Sequence, residues 1–175
     1  WINTTPIVAK DFFGAADPAS PAYQEGGNWV GVLFSVYNGV AAIAALTLLP
    51  FLSSRFGKVR THMFGLLCGA AGYASFFVIK DPHWLVLSEI GIGVAWASIL
   101  AMPYAILASS LPQGKLGIYM GLFNVFVVVP QLLVATVMGS IMKAFFPTEP
   151  IWTMAFAAAV MALAALATLR VKEPA

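Results

Sequence analysis

From Leu116 to Met142 the chain reads LGIYMGLFNVFVVVPQLLVATVMGSIM, without one charged residue. A helix of that length covers roughly 40 Å at ~1.5 Å per residue, more than the ~30 Å hydrocarbon core of a bilayer. In hydrocarbon a backbone must satisfy its own hydrogen bonds, which a helix does within one segment. The run therefore predicts a transmembrane helix. Trp29 to Ser53, Thr61 to Ile79, Leu85 to Leu111 and Ile151 to Leu169 read as spans for the same reason. Composition agrees, with 61% of residues hydrophobic and 9% charged, where soluble domains hold about 25% charged residues. The expected fold class is all-α, a polytopic membrane helix bundle.

Polar stretches punctuate these runs. Trp1 to Ala9 is too short to span and reads as the outer end of a helix. Residues 10–28, KDFFGAADPASPAYQEGGN, mix Pro, Gly, Ser and acids and predict an aqueous, extracytoplasmic loop. SRFGKVRTH, between the first two complete spans, packs Arg55, Lys58 and Arg60 into a short basic turn, the mark of a cytoplasmic loop. Alternation then puts Lys115, Arg170 and Lys172 inside as well, and leaves only Lys10, Lys80 and Lys143 outside. The reversed orientation would invert that asymmetry. The expected arrangement is five complete spans in the cytoplasmic (inner) membrane, with the C-terminus in the cytoplasm.

The same composition excludes several functions. A net charge of +2, scattered along the chain, does not suggest nucleic acid. The single cysteine, Cys68, lies within an apolar run, so no disulfide framework or metal cluster is expected. His62 and His83 sit at helix ends, far apart in the topology. Hydrolysis within the bilayer would need a Ser/His, Asp/Asp or metal set at mid-depth, and none is present in the pattern. The chain therefore reads as neither an enzyme nor a holder of a cofactor or metal.

Small residues and a few polar ones mark the spans. Gly65 and Gly69, with Gly72 nearby, predict close helix packing, as do Gly91, Gly93, Ala95 and Ala97. Gly117 and Gly121 repeat the four-residue spacing. Trp29, Trp84 and Trp152 begin their spans and read as interface anchors. Glu89, Trp96 and Pro103 recur every seven residues and share one helix face, with Pro103 expected to kink the helix unless neighbours compensate. Glu89 is the one charge inside an apolar run. It either exchanges a proton with the outer side, or snorkels outward to pair with Lys80 or a backbone group.

Three stretches carry a family resemblance. SRFGKVR sits where the major facilitator superfamily has its G-x-x-x-D-R-x-G-R-R turn, with Arg55, Gly57 and Lys58 matching, but Ser54 at the acidic position and Pro50 at the first glycine. EGGNWVGVLFSVYNG (Glu25 to Gly39) and GVAWASILAMPYAILASSLPQGKLGIYMGLFNVFVVVPQ (Gly93 to Gln131) resemble the glycoside-type sugar:cation symporters of that superfamily, those similar to sucrose and maltose proton symporters.

The resemblance implies the C-terminal six-helix half of a twelve-helix fold, packed against an N-terminal half around a central cavity. Residues 1–9 would be the outer end of helix 7, and residues 29–175 helices 8 to 12. It implies secondary active transport of a di- or oligosaccharide, coupled to a proton or other cation. Arg55, Gly57 and Lys58 would form the cytoplasmic gating turn.

A sugar is a ring of hydroxyls and needs groups that both donate and accept hydrogen bonds. Asn124 and Gln131, seven residues apart on one face, are the first candidates for such a site, against a reading as glue between helices. Tyr37 and Asn38 raise the same question. Trp96 and Tyr104 could stack on a sugar's apolar face or simply pack. The alternatives are an exporter of amphiphilic compounds, with a greasier cavity, and a membrane partner protein that transports nothing.

Overall fold

The computed structural model describes residues 3–145 and 149–172 of the chain. Trp1 and Ile2 of the expected helix end, residues 146–148 of the expected turn, and residues 173–175 lie outside the described residues. The described elements are helical throughout. α1 (Thr4–Ile7) runs into a π-helical turn, Val8–Phe12, ahead of the first long helix.

That helix, α2 (Pro21–Ile43), starts well before Trp29. The expected loop is shortened by a helix start that its Pro, Gly and Ser content hid. Asp17 accepts from the Ala19 backbone N–H at 3.0 Å and sets the turn. The Ser20 hydroxyl then accepts from the Tyr23 N–H at 3.2 Å, and Pro21 opens the helix, where its missing N–H costs nothing. α2 continues through a π-turn, Ala44–Leu48, into α3 (Leu49–Phe56), making one apolar rod from Pro21 to Phe56. Pro50 lies just beyond that turn. Its ring would crowd the carbonyl of Leu46, and the wider π pitch relieves the clash.

Gly57, with φ 85° and ψ 162°, ends α3 and starts α4 (Lys58–Ser75). That conformation is essentially restricted to glycine. The basic turn therefore depends on Gly57 for its shape, with Arg55 and Arg60 exposed beside it.

α4 is the packing centre of the bundle. It lies against α5 (Leu85–Ser109) on one side and α7 (Trp152–Thr168) on the other. A Cβ on Gly65 would fall 2.5 Å from Ser98 Cβ, and one on Gly69 would fall 2.5 Å from Ala95 Cβ. On the facing helix, a Cβ on Gly91 would fall 2.5 Å from the Cys68 carbonyl oxygen. The small residues thus bring α4 and α5 together as their spacing implied. Two polar bonds bracket the seam, Ser75 Oγ to Ser88 Oγ at 2.6 Å and His62 Nδ1 to Ser98 Oγ at 2.9 Å.

Three described helices are long and apolar enough to cross a membrane: Pro21–Phe56, Pro82–Ser109 and Leu116–Ile141. α4 and α7 have 18 and 17 residues, roughly 26 Å each at ~1.5 Å per residue, shorter than the spans expected of them. α4 can be less apolar because its glycine-rich faces are covered by protein rather than lipid. α5 runs unbroken through Pro103.

Two apolar clusters hold the bundle. Ile7, Val8, Val30, Leu33, Phe76, Leu85, Ile92 and Met154 join α1, α2, α4, α5 and α7 at one end of the bundle. Ala41, Ala44, Leu49, Val94, Ala97 and Met102 join α2, α3 and α5 further in. α6 (Leu116–Phe145) stands apart, with none of its apolar window buried. Gly117 and Gly121 meet no neighbour within 4 Å, so their spacing serves no packing here.

Candidate functional site

α5 is the wall shared by most of the polar groups within the spans. Toward α2, the Tyr37 ring is 9% exposed and meets Trp96 edge-on at 6.4 Å and Phe34 edge-on at 5.7 Å. Gly93 permits this approach, since a Cβ there would fall 2.7 Å from the Tyr37 carbonyl oxygen. Tyr37 and Trp96, expected separately, are therefore brought together. Asn38, next to Tyr37, is exposed, and its Nδ2 donates to the Phe34 carbonyl at 2.8 Å within its own helix.

Toward α6, the Tyr104 hydroxyl donates to Asn124 Oδ1 at 2.6 Å. The Tyr104 ring also meets Phe123 edge-on at 5.2 Å. Asn124 therefore spends its acceptor on a tyrosine from the neighbouring helix, which leaves the amide N–H groups to other partners. The spacing of the sequence could not pair these two residues, because they belong to different helices. Gln131 is exposed about two turns further along α6.

Glu89 departs from one of its two expected readings. It is 1% exposed, and its Oε2 is buried with no hydrogen-bond partner among the described residues. It does not snorkel, nor does it pair with Lys80. The Lys80 ammonium is exposed and reaches only the Phe77 carbonyl, at 3.5 Å. The physical reason is crowding, because α2 and α4 both close on this part of α5 and leave no path outward for the side chain.

Near the start of α5, Trp29 is more than an interface anchor. Its indole N–H donates to the Pro82 carbonyl at 2.7 Å, and its ring lies 4.9 Å from that of His83. Asp81 accepts from the His83 backbone N–H at 2.8 Å and meets Nδ1 of the same residue at 3.0 Å. The backbone bond first, and then the ring, hold the Asp81 carboxyl below its ordinary range. Burial pushes the Asp11 carboxyl up, against the pull of Lys10 beside it. Trp152 donates to Glu149 Oε2 at 2.7 Å, whereas Trp84 is 62% exposed, as an interface residue would be.

Two cavities open between the helices. The first, of about 390 Å³, is bounded by Asn3, Thr4, Tyr73, Val134, Thr153 and Met161 among others. The second, of about 400 Å³, is bounded by His62, Pro103, Leu107, Phe123 and Thr168 among others. Both linings are mainly apolar. Among the described residues no three His, Cys, Asp or Glu side chains converge as metal ligands would.

Comparison with known families matches residues 6–175 to the Major Facilitator Superfamily. No curated protein and no solved structure matches the chain.

Proposed function

We propose, since the chain belongs to the Major Facilitator Superfamily, that it carries a small glycoside across the cytoplasmic membrane by symport with a proton. A transporter of multiple membrane helices is what the family match supports, and the sugar and the proton are our reading. Residues 1–175 form the C-terminal half of the transporter on this reading, and the N-terminal half completes the central cavity.

The observation that carries the sugar is the exposure of Asn38, Asn124 and Gln131 on otherwise apolar spans. An amide turned toward lipid loses its hydrogen bonds, so exposed amides at this depth belong on a water-filled path. Tyr104 joins them through Asn124, and Trp96 and Tyr37 offer aromatic surface on the α2 side of α5. The mainly apolar cavity linings favour a second reading, export of an amphiphilic compound.

The two readings part on the amides. Removing one sugar hydrogen bond costs about 0.5–1.5 kcal/mol, or up to roughly tenfold in affinity. In the full-length protein, Asn124→Ala and Gln131→Leu should raise the apparent KM for sugar uptake by up to roughly that factor, with unchanged membrane expression. Poor expression with normal transport per molecule would make the amides structural and remove the sugar reading.

The orientation follows the charge asymmetry, with Arg55, Gly57 and Lys58 in a cytoplasmic gating turn and the C-terminus on the same side. An impermeant maleimide applied to intact cells should therefore leave Lys115→Cys unlabelled. Labelling before the cells are opened would reverse the topology.

A further inference from the structure

We propose that the second cavity, of about 400 Å³ between α4, α5, α6 and the end of α7, binds an anionic phospholipid: one acyl chain lies in the cavity, and the phosphate meets the cations beside it. None of the amides proposed for sugar lines this cavity, so the inference stands whatever the transporter carries.

The walls suit a hydrocarbon chain. Pro103, Ile106 and Leu107 of α5 and Phe123 of α6 supply apolar surface. Three polar side chains also line the cavity: His62, Ser110 and Thr168. The Ser110 hydroxyl donates to the Ile106 carbonyl at 3.1 Å, and the Thr168 hydroxyl donates to the Ala165 carbonyl at 2.6 Å. His62 Nδ1 is bonded to Ser98 Oγ at 2.9 Å. Both hydroxyl protons are thus spent inside their own helices. A sugar needs donors and acceptors in pairs and is poorly served here, whereas an acyl chain needs neither. The volume falls within the ~300–1,000 Å³ usual for ligand pockets.

The edges of the cavity suit an anion. Lys58 and Arg60 stand on either side of Val59 in the chain, and Arg170 and Lys172 on either side of Val171; Val59 and Val171 both line the cavity. Lys115 follows five residues after Ser110. Arg60, Lys115, Arg170 and Lys172 are exposed, and Lys58 is half-buried. None of the five makes a salt bridge among the described residues. Residues 26–80 and 90–148 contain no Asp or Glu. Asp81 and Glu89 stand toward the other end of α5, and Glu149 precedes the far end of α7. The one acid near these cations in the chain is Glu173, which lies outside the described residues.

The positive-inside rule explains why cations gather on one side of a membrane, but it does not call for a cavity between the helices there. A free phosphate would gain nothing from the apolar walls, and an uncharged lipid would gain nothing from the cations. The occupant that uses both carries an anionic headgroup on a hydrocarbon chain. Each Lys or Arg close to an anionic headgroup region is worth about fivefold in binding. On the orientation proposed above, this end of the bundle faces the cytoplasmic leaflet, where anionic lipids collect.

Photolabelling of the full-length protein tests this, in detergent micelles where each lipid can be titrated. The probe is a phosphatidylglycerol with a diazirine near the end of one acyl chain. On illumination it should attach within residues 103–110 or at Phe123, as read by peptide mass spectrometry. Unlabelled phosphatidylglycerol should displace it. Phosphatidylcholine, which has no net charge, should need at least tenfold more, and inorganic phosphate should displace nothing.

Two variants separate the chain from the headgroup. Leu107→Trp fills the cavity and should abolish attachment there, with labelling of the lipid-facing side of α6 unchanged. Arg170→Gln with Lys172→Gln should weaken displacement by phosphatidylglycerol at least tenfold. Both residues are exposed and follow the end of α7, so this pair decides the matter even if Leu107→Trp fails to fold. Attachment spread evenly over the lipid-facing helices, or equal displacement by phosphatidylcholine, overturns the proposal. So does unchanged affinity in the double Gln variant. Displacement by inorganic phosphate would mean a site for a free anion and would remove the lipid.

Discussion

Gly91→Ala should lower the stability of the folded protein by about 1–3 kcal/mol, the usual cost of forcing extra volume into a packed interior. The new methyl would fall 2.5 Å from the Cys68 carbonyl oxygen and 3.4 Å from Gly72 Cα. Both neighbours are backbone, so no side-chain rotation can relieve the clash. The helices must separate, which strains the Ser75–Ser88 and His62–Ser98 bonds on either side. Gly117→Ala is the control, since nothing lies within 4 Å of that position. There the better helix propensity of alanine should leave stability unchanged or raise it by up to about 1 kcal/mol. Thermal unfolding in detergent decides it. At roughly 2–4 °C per kcal/mol for a chain of this size, Gly91→Ala should melt several degrees lower. Equal melting of the two variants would mean that α4 and α5 do not meet along this seam.

Phe76→Ala should cost more, about 3 kcal/mol, the lower end for deleting a buried aromatic ring. Phe76 is 2% exposed and packs edge-on against Phe12 at 6.0 Å. It shares its cluster with Ile7, Leu33, Leu85 and Met154, so one ring ties α1, α2, α5 and α7 to the end of α4. Its loss should loosen that end of the bundle as a unit. Phe126→Ala removes the same ring from a position on α6 that is 71% exposed, and should change stability by no more than about 0.5 kcal/mol. If protease accessibility of the α1–α2 connection and the melting temperature respond equally to both, this cluster is not what holds α1 in place.

Some of the candidate site was legible because it depends on residues close together in the chain. Tyr37 and Asn38 stand out against an apolar run, and Asn124 and Gln131 share a face by spacing alone. The α4–α5 seam was legible for a similar reason, since small residues every four positions make a flat strip whatever covers it. Other features were missed where a local signal was outweighed. Ser20-Pro21 is a helix start, but the loop-like residues around it concealed it. Gly117 and Gly121 repeat the pattern of Gly65 and Gly69, yet nothing packs on them.

The sequence by itself determined the class of the fold, three of the five stretches expected to cross a bilayer, and the unequal distribution of positive charge. These are sums over neighbouring residues, and the transfer of a segment into lipid depends on such sums. Only the tertiary structure decided which polar groups have partners. Asn124 is bonded to Tyr104, Trp29 to the Pro82 carbonyl, and Glu89 Oε2 to nothing among the described residues. Each outcome turns on whether two atoms from separate helices come within about 3 Å, the reach of a hydrogen bond. Helix crossing and rotation set that distance, and a periodic pattern along one helix carries no information about the rotation of its neighbour.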